Sequence, residues 1–171
     1  FDAHQSATNV TLRNCVFGHQ SVQVVGYGTL LLENCEIHRE RMINLRRDYG
    51  STWEGDVIIR NCTLRPCSPK NDISILYGSN DGSHDFGYPC QLPSSITIEG
   101  LLIDDSEAAE FEGYAGPSVF NSFGRTAGNT EPFPFGTKCK ITLKGISVVS
   151  GKPLVLAPNL DAFPGFIVFQ E

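Results

Sequence analysis

Five stretches of the chain carry one alternation of apolar and polar positions: VTLRNCVF at 10–17, LLLENCEI at 30–37, VIIRNCTL at 57–64, ITIEGLLI at 96–103 and ITLKGISV at 141–148. Each reads as a short strand, then Asn or Gly, then a second short strand. Alternation with period 2 marks strands with one buried face, and repetition of a whole unit marks a solenoid. Val10, Leu30, Val57, Ile96 and Ile141 share one inward position, and Leu12, Leu32, Ile59, Ile98 and Leu143 the next. Beyond the break, Cys15, Cys35, Cys62, Leu101 and Ile146 form a third column, and Phe17, Ile37, Leu64, Ile103 and Val148 a fourth.

The break is occupied by Asn14, Asn34, Asn61, Gly100 and Gly145. Gly and Asn enter the left-handed α region at least cost, so this column predicts a sharp corner between two strands. Arg13, Glu33, Arg60, Glu99 and Lys144 stand immediately before it and alternate in sign. Stacked at the strand spacing of about 4.8 Å, each charge would lie between two opposite ones. The pattern predicts an all-β fold: a right-handed parallel β-helix, a solenoid of five to six coils with three short parallel sheets.

Each coil needs one further strand, and candidates lie at 1–4, 22–25, 42–46, 73–76, 118–121 and 153–156. These define a first sheet within a single domain, 1–171. Corner-to-corner distances lengthen along the chain, which predicts insertions at 47–56, 77–95, 104–117 and 122–140. All border the first sheet, and long connections of this kind are usually functional. They would wall a groove on its outer face. The chain opens inside a first-sheet strand with no helix to cap the stack. The expectation is therefore the C-terminal part of a longer β-helix, with oligomers formed through the uncapped end as one option. The segment 162–171 would make a last strand or plug.

Composition narrows the partners. A net charge of −6 provides no basic footprint for nucleic acid. No apolar run approaches a membrane span, so neither nucleic acid nor membrane is an expected partner. Of the six cysteines, Cys15, Cys35 and Cys62 would point the same way in successive coils, as buried free thiols rather than disulfides. Cys67, Cys90 and Cys139 fall in connections, where a Cys67 to Cys90 bridge is an option. Their spacings match no zinc pattern.

With repeated xxIxxN(C/x)xF coils, a corner Asn column and loops gathered on one sheet, the chain resembles the pectin-lyase-like superfamily of parallel β-helices. That resemblance implies an extended glycan along the first sheet and a secreted or cell-surface location. It also spans polysaccharide hydrolases, lyases and non-catalytic adhesive solenoids, and fold analogy does not choose among them. The polygalacturonase segments NTD, DD, GHG and RIK are absent, and Gly18-His19 is followed by Gln20. No catalytic residue is carried over from the family.

Candidate chemistry comes from the residues themselves. Inward first-sheet positions read as Phe1, Ala3, Val22, Val24, Ile43, Leu45, Ile73 and Ile75. That leaves Asp2, His4, Gln23, Val25, Asn44, Arg46, Ser74 and Leu76 outward. The loops add Asp48, Tyr49 and Trp53, then Asp81, His84, Asp85 and Tyr88. Aromatic rings stack on pyranose faces, and carboxylates and Arg bind hydroxyls or uronates. Asp2, His4, Asn44, Tyr49, Trp53, Asp81 and Tyr88 are the expected glycan-binding set. Asp48 and Asp85 are the pair a hydrolase would use, and Arg46 with His84 would serve a lyase. Trp53 could equally be a lid packed on its own coil, Asp85 a turn cap, and Arg46 with Asp48 a surface ion pair. His19 and His38 lie away from the groove. No cofactor is expected, with calcium bridging Asp48, Asp81 and Asp85 as the alternative.

Overall fold

The computed structural model describes residues 1–3, 7–46, 52–67, 72–78, 91–121 and 138–158, together with the backbone of the strand Ile167–Gln170. In chain order the strands are β1 (Ala7–Arg13), β2 (Val16–Phe17), β3 (Val22–Val24), β4 (Gly26–Glu33), β5 (Glu36–Ile37), β6 (Arg41–Leu45), β7 (Trp53–Arg60) and β8 (Thr63–Leu64). There follow β9 (Ser74–Tyr77), β10 (Ser95–Glu99), β11 (Leu102–Ile103), the short helix α1 (Ser106–Ala109), β12 (Ser118–Phe120), β13 (Cys139–Lys144), β14 (Ser147–Val148) and β15 (Ile167–Gln170). They form three parallel sheets: β3-β6-β9-β12, the first; β1-β4-β7-β10-β13-β15, the second; and β2-β5-β8-β11-β14, the third. Successive neighbours in a sheet are one coil apart in the chain, and the crossover between them runs through the other two sheets. The fold is a parallel β-helix.

Registers follow the sequence columns. Leu30 pairs with Val10 and Val57, and Ile96 with Val57 and Ile141. Asp2 bridges Gln23 at one edge of the first sheet and Val155 bridges Ser118 at the other. All six expected first-sheet segments therefore contribute to it. The core is the stack of inward columns, with Leu30, Leu32, Ile37, Val57, Ile59 and Leu64 fully buried. Burying such a side chain stabilises the fold by about 1.5–3 kcal/mol.

The corner column is where the repeat places it. Asn14, Asn34, Asn61, Gly100 and Gly145 have φ of 55°, 54°, 49°, 65° and 63°. The Asn34 amide donates to Asn14 Oδ1 at 3.2 Å, so this part of the corner carries its own side-chain ladder. The adjacent charge column pairs in twos instead of forming an unbroken ladder. Arg13 Nε meets Glu33 at 2.7 Å and Arg60 Nε meets Glu99 at 3.2 Å. Among the described residues no ion pair joins Glu33 to Arg60 or Glu99 to Lys144.

The three stacked cysteines are free thiols. Each donates to the backbone near the corner: Cys15 Sγ to Arg13 O, Cys35 Sγ to Leu12 O and Glu33 O, and Cys62 Sγ to Arg60 O. Burial raises the Cys35 thiol above its ordinary range and pushes Cys62 up to about 11 and Cys139 up to about 12. All three stay protonated as small apolar residues. Cys67 is exposed and free, and Cys90, its expected partner, lies outside the described residues.

A second bend stack lies inside the second sheet. Asn9, Gly28 and Gly55 have φ of 53°, 86° and 135°, and the β1 to β4 register shifts between Thr8 and Val10. Asn9 Oδ1 accepts the Thr29 amide at 3.0 Å, replacing a ladder bond at the bulge. The segment 104–117 carries α1 and is tied down by a buried polar node. Asp105, with no exposed surface, accepts from Tyr114 OH at 2.8 Å, Ser150 N at 2.8 Å and Ser150 Oγ at 2.5 Å. Desolvation, followed by the hydrogen bond to Asp105, drives the Tyr114 hydroxyl well above its ordinary pKa. Lys152 completes the node, its ammonium donating to Tyr114 O and lying over the Tyr114 ring.

Candidate functional site

The outer face of the first sheet is built by register. Asp2 bridges Gln23, Gln23 pairs with Asn44, and Asn44 pairs with Tyr77, one residue per coil. Alternation along β3 and β6 sets Val22, Val24, Ile43 and Leu45 in the core and leaves Gln23 and Asn44 partly exposed. Asn44 Nδ2 donates to Gln23 Oε1 at 3.1 Å, so the two amides form a rung-to-rung ladder.

Arg46 lies beyond Asn44 and reaches over the intervening coil to Asp2, its Nη1 meeting Oδ1 at 2.9 Å and Oδ2 at 2.8 Å. The Arg46 side chain keeps 14% of its surface exposed and that of Asp2 keeps 43%. Arg41 forms a second pair, with Nη2 at 3.3 Å from Asp72 Oδ2 and its guanidinium 3.6 Å above the centroid of the Tyr77 ring. At the far end of the strip, the Asn121 side chain exchanges two hydrogen bonds of 3.0 Å with the backbone of Gly78. The side chain thereby continues the sheet past β9.

Three features of this face differ from the sequence reading. Leu76, expected outward, pairs with Ile43 in the inward column, and Tyr77 takes the outward place beside Asn44. The run Ile73, Ser74, Ile75, Leu76 is fully buried, so alternation could not set its parity. Val25 and Ser74, also expected outward, are buried. Trp53 is not a surface platform. It begins β7, pairs with Gly26, has no exposed surface, and its indole N–H faces Gly28 O at 3.2 Å and Asp56 O at 3.3 Å. Between the Gly28 and Asp56 carbonyls the polar edge of the indole is satisfied, and its rings pack in the core.

Of the residues named for function, Asp2, Asn44 and Arg46 are brought together on this face. His4, Asp48, Tyr49, Asp81, His84, Asp85 and Tyr88 lie outside the described residues. Among the described residues no three His, Cys, Asp or Glu side chains converge as a metal site, and no helix is long and apolar enough to cross a membrane.

A second polar cluster, set aside at the sequence level with His38, lies at the end of the third sheet. The amides of His38, Arg65 and Asp104 bond to Phe17, Ile37 and Leu64 carbonyls at the same point of successive coils. They line a cleft of about 240 Å³ with Cys67, Ser106 and Glu107. His38 Nε2 is 2.7 Å from Glu36, Arg65 spans Glu36 and Asp104, and Ser106 Oγ donates to Asp104 at 2.8 Å. Position one beyond the fourth apolar column was the available signal, because His, Arg and Asp recur there at the coil period.

Fold and face together define a parallel β-helix carrying a strip of stacked polar side chains on its first sheet. Compared with protein-family models, curated proteins and solved structures, the chain matches none of them.

Proposed function

We propose that this chain is a carbohydrate-active β-helix, of the pectin-lyase-like kind, that holds an extracellular or cell-wall polysaccharide along the outer face of its first sheet. The observation that carries this reading is the strip Asp2, Gln23, Asn44 and Tyr77, which repeats hydrogen-bonding groups at the coil period. A spacing of about 4.8 Å per coil is close to the length of one pyranose unit in an extended glycan. Planar amides and carboxylates suit vicinal hydroxyls. Asp48 and Asp85 stay the proposed hydrolytic pair, His84 and Arg46 the proposed elimination set, and calcium a proposed ligand of the loop carboxylates. A secreted or surface protein is the setting in which such a ligand is met.

A second reading, a non-catalytic glycan-binding or adhesive module, is favoured by one observation. Arg46 is held by Asp2 in a two-point ion pair, which suits a rigid recognition surface. One experiment separates the two. The protein is incubated with neutral and uronate polysaccharides, with and without calcium, and both new reducing ends and absorbance from unsaturated uronates are followed. Reducing ends alone mean hydrolysis, unsaturation means elimination, and retention on a polysaccharide matrix without either means a binding module. A folded protein that neither cleaves nor binds any of them refutes the carbohydrate reading.

A further inference from the structure

On the proposal above that the first sheet carries a polysaccharide, we infer that the ligand is a neutral, hydroxyl-rich glycan and not a polyuronate. The inference rests on which partner of the Arg46 to Asp2 pair faces outward. In the Arg46 to Asp2 pair the base keeps 14% of its side-chain surface and the acid 43%. Both guanidinium groups are committed, Arg46 to both carboxylate oxygens of Asp2 and Arg41 to Asp72 and the Tyr77 ring. A carboxylate on an approaching sugar therefore meets Asp2 before Arg46. To bind Arg46 through Nη1 it would have to displace a charge-assisted contact to both Asp2 oxygens.

The charge of the chain acts in the same direction. With a net charge of −6 on the chain, a polyanion finds no compensating field. What the strip does offer is neutral. Asn44 and Gln23 each spend one amide group on the other, and an amide has two donors and two acceptor sites. The remaining donor and acceptor capacity stands on two successive coils, one amide on each, as hydroxyls do on two successive neutral sugar units. A neutral hexose also lacks the carboxyl group that acidifies the C5 proton, so this ligand class is compatible with hydrolysis or binding and not with elimination.

The test measures affinity for soluble galactan, xylan and mannan, and for polygalacturonate and alginate, at low and at high salt. The expected result is binding of at least one neutral polymer with affinity insensitive to salt, and polyuronate binding at least about tenfold weaker. Asn44→Ala and Gln23→Ala should each weaken the neutral ligand about tenfold, the size of one or two lost hydrogen bonds. Fold integrity is read independently from the emission of the buried Trp53. Polyuronate binding that fades with salt and is lost in Arg46→Gln overturns the neutral class while leaving the first-sheet reading intact. Neutral binding unchanged in folded Asn44→Ala and Gln23→Ala overturns the amide strip as its site. No binding of either class overturns the first-sheet reading and this inference with it.

Discussion

Replacing Gly55 by Ala tests the stacking of coils at one atom. Gly55 has φ of 135°, and an added Cβ would stand 2.2 Å from the carbonyl oxygen of Gly28, 2.9 Å from its nitrogen and 3.0 Å from its carbonyl carbon. All three are backbone atoms of the neighbouring strand, so no side chain can turn aside. Two costs combine: about 1–3 kcal/mol for a non-glycine residue in a glycine-only conformation, and about 1–3 kcal/mol for forcing packed groups apart. Against a total stability of about 5–15 kcal/mol, the combined loss is a large fraction. At about 2–4 °C per kcal/mol for a chain of this size, the melting temperature should fall by about 10 °C. Gly145→Ala is the control. Its φ is 63°, and its Cβ would come no nearer than 3.7 Å to Gly100, an ordinary contact. Only the left-handed conformation opposes it, at about 1–2 kcal/mol. Gly145→Asn should cost less still, because Asn14, Asn34 and Asn61 occupy the same corner. Melts followed by far-ultraviolet circular dichroism check the series. Equal losses in Gly55→Ala and Gly145→Ala, or a Gly55→Ala protein that melts like wild type, would refute the close approach of the two strands.

Three other expectations follow from the packing. Trp53→Ala should cost about 3–5 kcal/mol in denaturant unfolding, as for a fully buried aromatic, whereas a surface platform would be nearly neutral to stability. Above pH 9 the thiols of the unfolded chain ionise while Cys62 and Cys139 in the fold hold their protons to about 11 and about 12. The unfolded state then binds fewer protons, so stability should be unaffected by these groups below pH 9 and decline as pH rises from there to about 12. Urea midpoints measured from pH 8 to pH 11 should fall less steeply when both cysteines are replaced by Ala; an unchanged slope would show that these thiols are not buried. Tyr114→Phe removes one of three donors to the buried Asp105 and should cost about 1–3 kcal/mol. A neutral effect on the urea midpoint would mean that water, not Tyr114, serves that carboxylate.

Most of the fold was legible in the chain itself. The corner at Asn14, Asn34, Asn61, Gly100 and Gly145 is a local backbone demand, and only Gly or Asn meets it cheaply. The four inward columns are a local alternation, and their recurrence sets register without knowledge of any distant contact. The thiol stack, buried at Cys35 and Cys62 and only partly at Cys15, follows from those two facts. Tertiary structure decided what depends on which coil lies against which. Trp53 is core because β4 supplies Gly28 beneath it, 25 residues earlier. Gly55 must be a glycine because β4 and β7 approach until no Cβ fits between it and the Gly28 backbone. Leu76 turned inward because a run of buried apolar residues has no alternation to read, leaving its pairing with Ile43 to choose the face. Arg46 meets Asp2 over a separation of 44 residues, and the cleft at His38, Arg65 and Asp104 exists only where three coils are superposed. Local periodicity sets the coil; the chemistry of a solenoid surface arises between coils, at distances in sequence that no window of neighbouring residues spans.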